Sequence, residues 1–243
     1  MNLLALASAA YMAALAGADR AFDPKAYGPP LSYDSRWTVI GRTNTGKDFW
    51  VACAVEKAQR VVMFDRGRDP KWLRIGYQPT TVGRLLSDPQ GTGQLMAAPQ
   101  LHLVVTPSPS DFRKSEDNPR PELEQAEELG KLAQLCRGAE NLVLIIGEAG
   151  LLPSTCDDVL AEIAMADRHH GIALITISQR AVGVPPNVRS QATQIVSFEQ
   201  SDVSDLKALA DKCGEDFAQQ CRNWKPKQPP AIWRPHAREG KRG

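Results

Sequence analysis

The stretch Gly41-Arg42-Thr43-Asn44-Thr45-Gly46-Lys47 has the residue types and spacing to hold a chain of phosphates. In a G-x-x-x-x-G-K loop the glycines let the backbone curl so that its N–H groups face an anion, and the lysine reaches the β- and γ-phosphates. The setting matters as much as the motif. An apolar run, Trp37–Ile40, precedes the loop and a helical pattern, Lys47–Lys57, follows it, so a helix N-terminus adds positive potential at the same place. The expected nucleotide-binding residues are Gly41, Arg42, Thr43, Asn44, Thr45, Gly46, Lys47, Asp48 and Phe49, and the expected cofactors are ATP and Mg2+.

The residue after the lysine breaks the pattern. A Ser or Thr hydroxyl ordinarily ligates Mg2+ there, whereas this chain has Asp48. About a hundred residues on, Leu142-Val-Leu-Ile-Ile146-Gly147-Glu148 has the form of a second nucleotide motif, an apolar strand running into acids, but Gly147 stands where a metal-holding Asp is usual. One motif has gained a carboxylate and the other has lost one. Asp48 is therefore the candidate Mg2+ ligand, because a hard cation needs oxygen ligands without specifying their strand. Two plainer alternatives stay open: Asp48 complements the helix dipole, and the metal site is weakened. Glu148, at the C-terminal end of a strand, lies where a general base can face the ligand crevice.

These residues need a sheet to hold them. Short apolar runs recur at Trp37–Ile40, Arg60–Phe64, Leu101–Val105, Leu142–Ile146, Ile172–Ile177 and Ile195–Phe198, as parallel strands covered on both faces would. Helical patterns fall between them at Lys47–Lys57, Pro121–Cys136, Asp157–Arg168 and Val203–Cys213. The alternation predicts an α/β, doubly wound, mainly parallel sheet. Residues 66–100 give no clear pattern beyond one helix and an exposed loop.

Three regions follow: an N-terminal helix and linker arm over 1–35, a phosphate-loop domain over 36–215, and a basic, Pro-rich tail over 216–243. Leu3 to Ala18 is apolar and Ala-rich, shorter and weaker than a bilayer span, and reads as a packing or docking helix, with a signal or membrane anchor as the alternative. From Arg222 to the end there are seven Lys or Arg and one acid, on a chain of net charge +1, so the tail is a basic patch on a mildly acidic body. The five cysteines show no metal-ligand spacing and read as buried thiols. Adjacent His169 and His170 lack further His or carboxylate partners at metal-ligand spacing and read as packing or polar contacts in a turn.

A longer stretch narrows the class. Ala166-Asp-Arg168-His-His-Gly171-Ile-Ala-Leu-Ile-Thr-Ile-Ser178-Gln179-Arg180, followed by Val184-Pro-Pro-Asn-Val188-Arg189-Ser-Gln191 and Gln194-Ile-Val-Ser-Phe198, resembles the FtsK–HerA superfamily of P-loop ATPases, and in compactness its genome-packaging members from internal-membrane bacteriophages. That resemblance implies a RecA-like ATPase that couples ATP hydrolysis to translocation of double-stranded DNA and works as a homo-oligomeric ring, usually a hexamer. It implies a Gln at position 179 that senses the γ-phosphate and an arginine acting on the neighbour's nucleotide. Arg168 is the first candidate for that role, Arg180 the second and Arg189 the third. It further implies capsid-vertex partners, peripheral membrane contact through the N-terminal helix, and a place in the host cytoplasm and at the virion's packaging vertex. A nucleotide-binding structural protein and a filamentous-phage-type assembly ATPase are the competing expectations.

Overall fold

The computed structural model describes residues 31–66, 70–107 and 120–235. The N-terminal helix expected over Leu3–Ala18 lies outside them, as do the first part of the linker arm and the last eight residues of the tail.

The apolar runs build one eight-stranded sheet. In chain order its strands are β1 (Arg36–Ile40), β2 (Arg60–Asp65), β3 (Gln78–Thr81), β4 (Leu101–Thr106), β5 (Leu142–Gly147), β6 (Ile172–Ser178), β7 (Gln194–Ser197) and β8 (Ala231–Trp233). Across the sheet they lie in the order β3-β4-β2-β5-β6-β1-β7-β8. Every neighbouring pair is parallel except β7 and β8. β1, β5, β6 and β7 are buried along their whole length. That is why they read as continuous apolar runs rather than alternating ones.

Helices cover both faces. On one, α1 (Lys47–Ala54) and α2 (Pro70–Arg74) pack Trp50, Val51 and Trp72 against Trp37, Val39, Met63 and Ile145. On the other, α3 (Val82–Ser87), α4 (Pro89–Met96), α5 (Pro121–Ala139) and α6 (Asp157–Ala166) pack Leu85, Met96, Leu129, Leu132 and Ile163 against Phe64, Leu144 and Leu174. A short helix, α7 (Pro186–Ser190), precedes β7. A third cluster joins Ile40 and Ile195 to α8 (Val203–Cys213) and α9 (Glu215–Asn223). The doubly wound α/β arrangement is thus as expected.

Two expectations need correction. Residues 66–100 hold α2, β3, α3 and α4 in place of one helix and a loop. Local caps fix these short elements: Thr81 accepts from Arg84 N at 3.1 Å, and Asp88 accepts from Gly91 N at 2.9 Å ahead of Pro89. The domain also does not stop at 215. α9 buries Phe217, Ala218 and Cys221, Trp224 meets Phe198 edge-on at 5.5 Å, and β8 extends the sheet. The basic stretch carries its own apolar anchors, and the indole N–H of Trp224 is satisfied by the carbonyls of Gln228 and Pro229. All five cysteines are free thiols, four of them buried. Among the described residues no helix is long and apolar enough to cross a membrane.

Trp224 is 9% exposed, so Trp224→Ala removes a buried indole and is expected to destabilise the domain by about 3–5 kcal/mol in denaturant unfolding. An unchanged midpoint would show that the segment rests on the domain without supporting it.

Candidate functional site

Parallel strands end on the same side, so the loops after β1, β5 and β6 meet at one edge of the sheet. Gly41 leaves β1 with its N–H donated to the carbonyl of Ser178 at 3.1 Å, which ties the phosphate loop to the end of β6. A Cβ at Gly41 would lie 2.5 Å from Thr45 Oγ1 and 2.9 Å from Phe198 Cβ, so only glycine fits there. Asn44 and Gly46 take left-handed backbone angles, φ 65° and 92°. Gly46 is also the N-cap of α1, with no side-chain acceptor on the first-turn N–H groups. Those donors point to where an anion would sit.

Lys47 is 3% exposed, and its ammonium lies 3.1 Å from Glu148 Oε1 and 3.6 Å from Asp48 Oδ2. Asp48 is itself 3.6 Å from the ammonium of Lys71 on α2. Glu148 follows β5 in a left-handed conformation, φ 47° and ψ 51°, and the strain of a non-glycine residue there turns its carboxylate to the phosphate loop. From the end of β6, Gln179 accepts through Oε1 from Thr43 Oγ1 at 3.3 Å. Lys47, Asp48 and Glu148 are therefore brought together at one end of the loop, and Thr43 and Gln179 meet separately at another.

The three arginines are placed differently. Arg180 is pinned to α8, with Nε donating to Asp205 Oδ2 and Nη2 facing Asp202 Oδ1, both at 3.0 Å. The Asp205 bond and charge hold its guanidinium all the more firmly protonated, and Ser204 together with Arg180 keeps the Asp202 carboxyl below its ordinary range. Arg189 is a half-buried strap that donates to the carbonyls of Ala181 and Val184, and burial lowers its pKa. Arg168 lies before β6, at the opposite edge of the sheet. A seven-residue strand separates it from its own phosphate loop, roughly 20 Å.

The turn that carries Arg168 is clamped from below. Fully buried Asp167 accepts from Arg137 Nε at 2.6 Å, and Arg137 also meets Glu162 at 2.9 Å. Arg36 donates to the carbonyls of Ala164 and Ile172 at 2.9 and 2.7 Å. Burial raises the carboxyl of Asp167, and its bond with Arg137 opposes that rise. Arg168, His169 and His170 stand exposed on this base. The two histidines lie in the turn exposed rather than packed, with His169 Nε2 at 3.5 Å from Arg168 Nε.

One acid escaped the sequence patterns. Asp65 ends β2, directly beside Gly147 in the parallel register, and is 1% exposed. A Cβ at Gly147 would lie 3.5 Å from Asp65 Oδ1, 3.3 Å from the carbonyl of Phe64 and 2.6 Å from the Met63 methyl. The carboxylate absent from position 147 has a counterpart on the adjacent strand. The signal in the sequence was an acid closing the run Arg60–Phe64, the same form as the run closed by Glu148. Among the described residues, no three His, Cys, Asp or Glu side chains form a ready-made metal cage.

Together the strand order and the loop define the fold of a P-loop NTPase. The solved structures with this fold include the genome packaging NTPase B204 from Sulfolobus turreted icosahedral virus 2 in complex with AMP, with a TM-score of 0.58 and 20% identity over 84% of this chain and 94% of that one. VirB4 of Thermoanaerobacter pseudethanolicus matches with a TM-score of 0.56 and 13% identity over 85% of this chain and 93% of that one. At these identities the likeness shows a shared fold. No protein-family model matches the chain, and no curated protein sequence does.

Gly147→Asp is expected to destabilise the domain by about 1–3 kcal/mol, because the new side chain crowds Met63 and sets a second carboxylate beside Asp65. Asp65→Ser in the same chain should return part of that loss. An additive or worsened double variant in denaturant unfolding would show that the two positions do not share one space.

Proposed function

We propose that this chain is an ATP-hydrolysing motor that works as a homo-oligomeric, hexameric ring and moves double-stranded DNA into a viral capsid. The observation that carries it is the contact of 3.1 Å between Lys47 and Glu148 at the rim of the phosphate loop. It sets a phosphate-binding cation and a candidate base on the two strand ends that must work on one nucleotide. B204 of Sulfolobus turreted icosahedral virus 2, which shares the fold, was solved with ATP-γS and with AMPPCP, and B204 of Sulfolobus turreted icosahedral virus is described as a DNA-packaging ATPase, which supports the same class of activity here.

Without nucleotide, Lys47 and Glu148 satisfy each other. A triphosphate in the loop draws the Lys47 ammonium to its β- and γ-oxygens, and Glu148 is released to take a proton from the attacking water. Gln179, bonded to Thr43 of the loop, would donate to the γ-phosphate and accept from that water in this scheme. Mg2+ supplies charge neutralisation on the phosphate oxygens when bound with the nucleotide. A hard cation that keeps several waters and takes one or two carboxylates would be held by Asp65 and Asp48, Asp48 first exchanging its contacts with Lys47 and Lys71. Asp65 would replace the acid missing at Gly147 in this scheme, and Asp48 would be the second ligand.

Arg168 is too far from its own loop to serve it, yet it is exposed on a rigid base, as a residue acting on a neighbouring subunit must be. Arg180 and Arg189 are held inside their own subunit and take structural parts. Exposed Arg222, Lys225, Lys227 and Arg234 form the described part of the basic segment, and Arg234 also donates to Gln194 Oε1 at 2.9 Å. Contacts from them to DNA phosphates would weaken with salt and show little sequence preference. Capsid-vertex docking, membrane contact through Leu3–Ala18, and work in the host cytoplasm and at the packaging vertex complete the proposal.

Mixing Lys47→Ala subunits, which keep Arg168, with Arg168→Ala subunits, which keep the loop, is expected to restore DNA-stimulated ATP turnover to a sizeable fraction of wild type. Native mass measurement establishes whether mixed rings have formed. Mixed rings without rescue would remove Arg168 from the trans role.

A further inference from the structure

One buried side chain ties the basic C-terminal segment to the end of β6 and takes no part in the phosphate loop or the metal scheme. Gln200 lies just past β7 and is 2% exposed. Its Nε2 donates to the main-chain carbonyl of Gln179 at 3.4 Å and to that of Glu199 at 2.8 Å, and its backbone N–H donates to the carbonyl of Cys221 at 3.2 Å. Cys221 is buried in the last turn of α9, and exposed Arg222 follows it. Gln200 therefore touches the main chain of the γ-phosphate sensor on one side and the root of the basic segment on the other. We propose that Gln200 is a positioning residue that couples the two, so that duplex DNA held by Arg222, Lys225 and Lys227 and a γ-phosphate read by Gln179 influence each other. The proposal rests on the motor reading given above.

The chemistry of the position favours this role. Burying a primary amide costs free energy unless its polar atoms are bonded, and an apolar side chain would fill the same space without that cost. What the amide adds is a pair of N–H donors aimed at two main-chain carbonyls. The end of β6 is bonded in two directions. Towards the phosphate loop, Ser178 accepts from the Gly41 N–H at 3.1 Å and Gln179 Oε1 accepts from Thr43 at 3.3 Å. Towards α9, the Gln179 carbonyl accepts from Gln200. A second brace runs beside the first: Phe198 donates its N–H to the carbonyl of Ile40 at 2.8 Å, where the loop begins, and meets Trp224 edge-on at 5.5 Å. Force on phosphates held at positions 222–227 acts first on the Cys221 carbonyl and the Trp224 ring, both already joined to the stretch 198–200. A displacement of about 1 Å at a reacting group can change a rate by about a hundredfold, so this short chain of bonds suffices.

The test measures the affinity of a short duplex DNA for the full chain saturated with ATP-γS or with ADP. Wild type is expected to bind the DNA with affinities that differ by about fivefold or more between the two nucleotides. Gln200→Met keeps the length and burial of the side chain and removes both donors, and Gln200→Glu replaces the donors with an acceptor. Each is expected to bring the two DNA affinities within about twofold of one another while ATP-γS itself binds as it does to wild type. Retained ATP-γS affinity certifies the fold, and loss of coupling alone is not the mark of a merely structural residue. Full coupling in a variant that binds ATP-γS normally would overturn the proposal, as would wild-type DNA binding that ignores the nucleotide. If both variants lose ATP-γS binding, Gln200 is a structural part, which overturns it as well. If wild type binds no DNA with either nucleotide, it is the motor reading that falls, and the coupling with it.

Discussion

A lysine ammonium cannot sit almost fully buried without a counter-charge, and Lys47 finds one in Glu148, 3.1 Å away on a different strand end. For that pair to exist, β1 and β5 must end on the same side of the sheet, with β6 between them. Gly41 and Gly46 must bend the loop back over the helix N-terminus. Glu148 must accept a left-handed backbone that few residues tolerate. The apolar cover on both faces serves this constraint, because it holds the strands in register while their ends carry charge. Removing Glu148 would leave the buried Lys47 ammonium with its charge less well met, so the contact aligns the site by keeping that charge compensated.

Much of this was legible in the sequence. Buried parallel strands need apolar residues on both faces, so Leu142–Ile146 and Ile172–Ile177 stand out as unbroken runs. The rule that such sheets bind ligands at the C-terminal edge pointed to Glu148 as a candidate, whereas Gln179 was singled out by the family resemblance alone. β3 and β8 were not legible. Gln78–Thr81 and Ala231–Trp233 are three or four residues long, carry or adjoin proline, and exist only because an edge strand was there to pair with them. The arginines show another limit. Arg180 and Arg189 look alike in a motif, and only the fold reveals Asp205 and the carbonyls of Ala181 and Val184 as their partners. Asp65 required the strand order, since its relation to Gly147 is one of register between neighbours rather than of spacing along the chain.

The sheet divides labour between its two edges. At one, left-handed turns at Asn44, Gly46 and Glu148 gather the phosphate loop and the contacts of Lys47 with Glu148 and Asp48. At the other, Asp167, Arg137 and Arg36 lock the turn before β6 through short, buried bonds. A residue that must act on a neighbouring subunit gains from such a base, because rigidity limits what must be ordered when subunits meet. The C-terminal segment joins the first edge through Phe198 and Trp224, so the basic stretch belongs to the nucleotide end of the molecule and is more than an appendage.

The central claim is that the Lys47–Glu148 pair is the resting form of a hydrolytic site. It is tested most directly by measuring ATP affinity and steady-state turnover in Glu148→Gln, a substitution that keeps the shape and removes the base. The account predicts wild-type or tighter ATP binding with turnover reduced by about a hundredfold or more. Turnover close to wild type in a variant that binds ATP normally would contradict it.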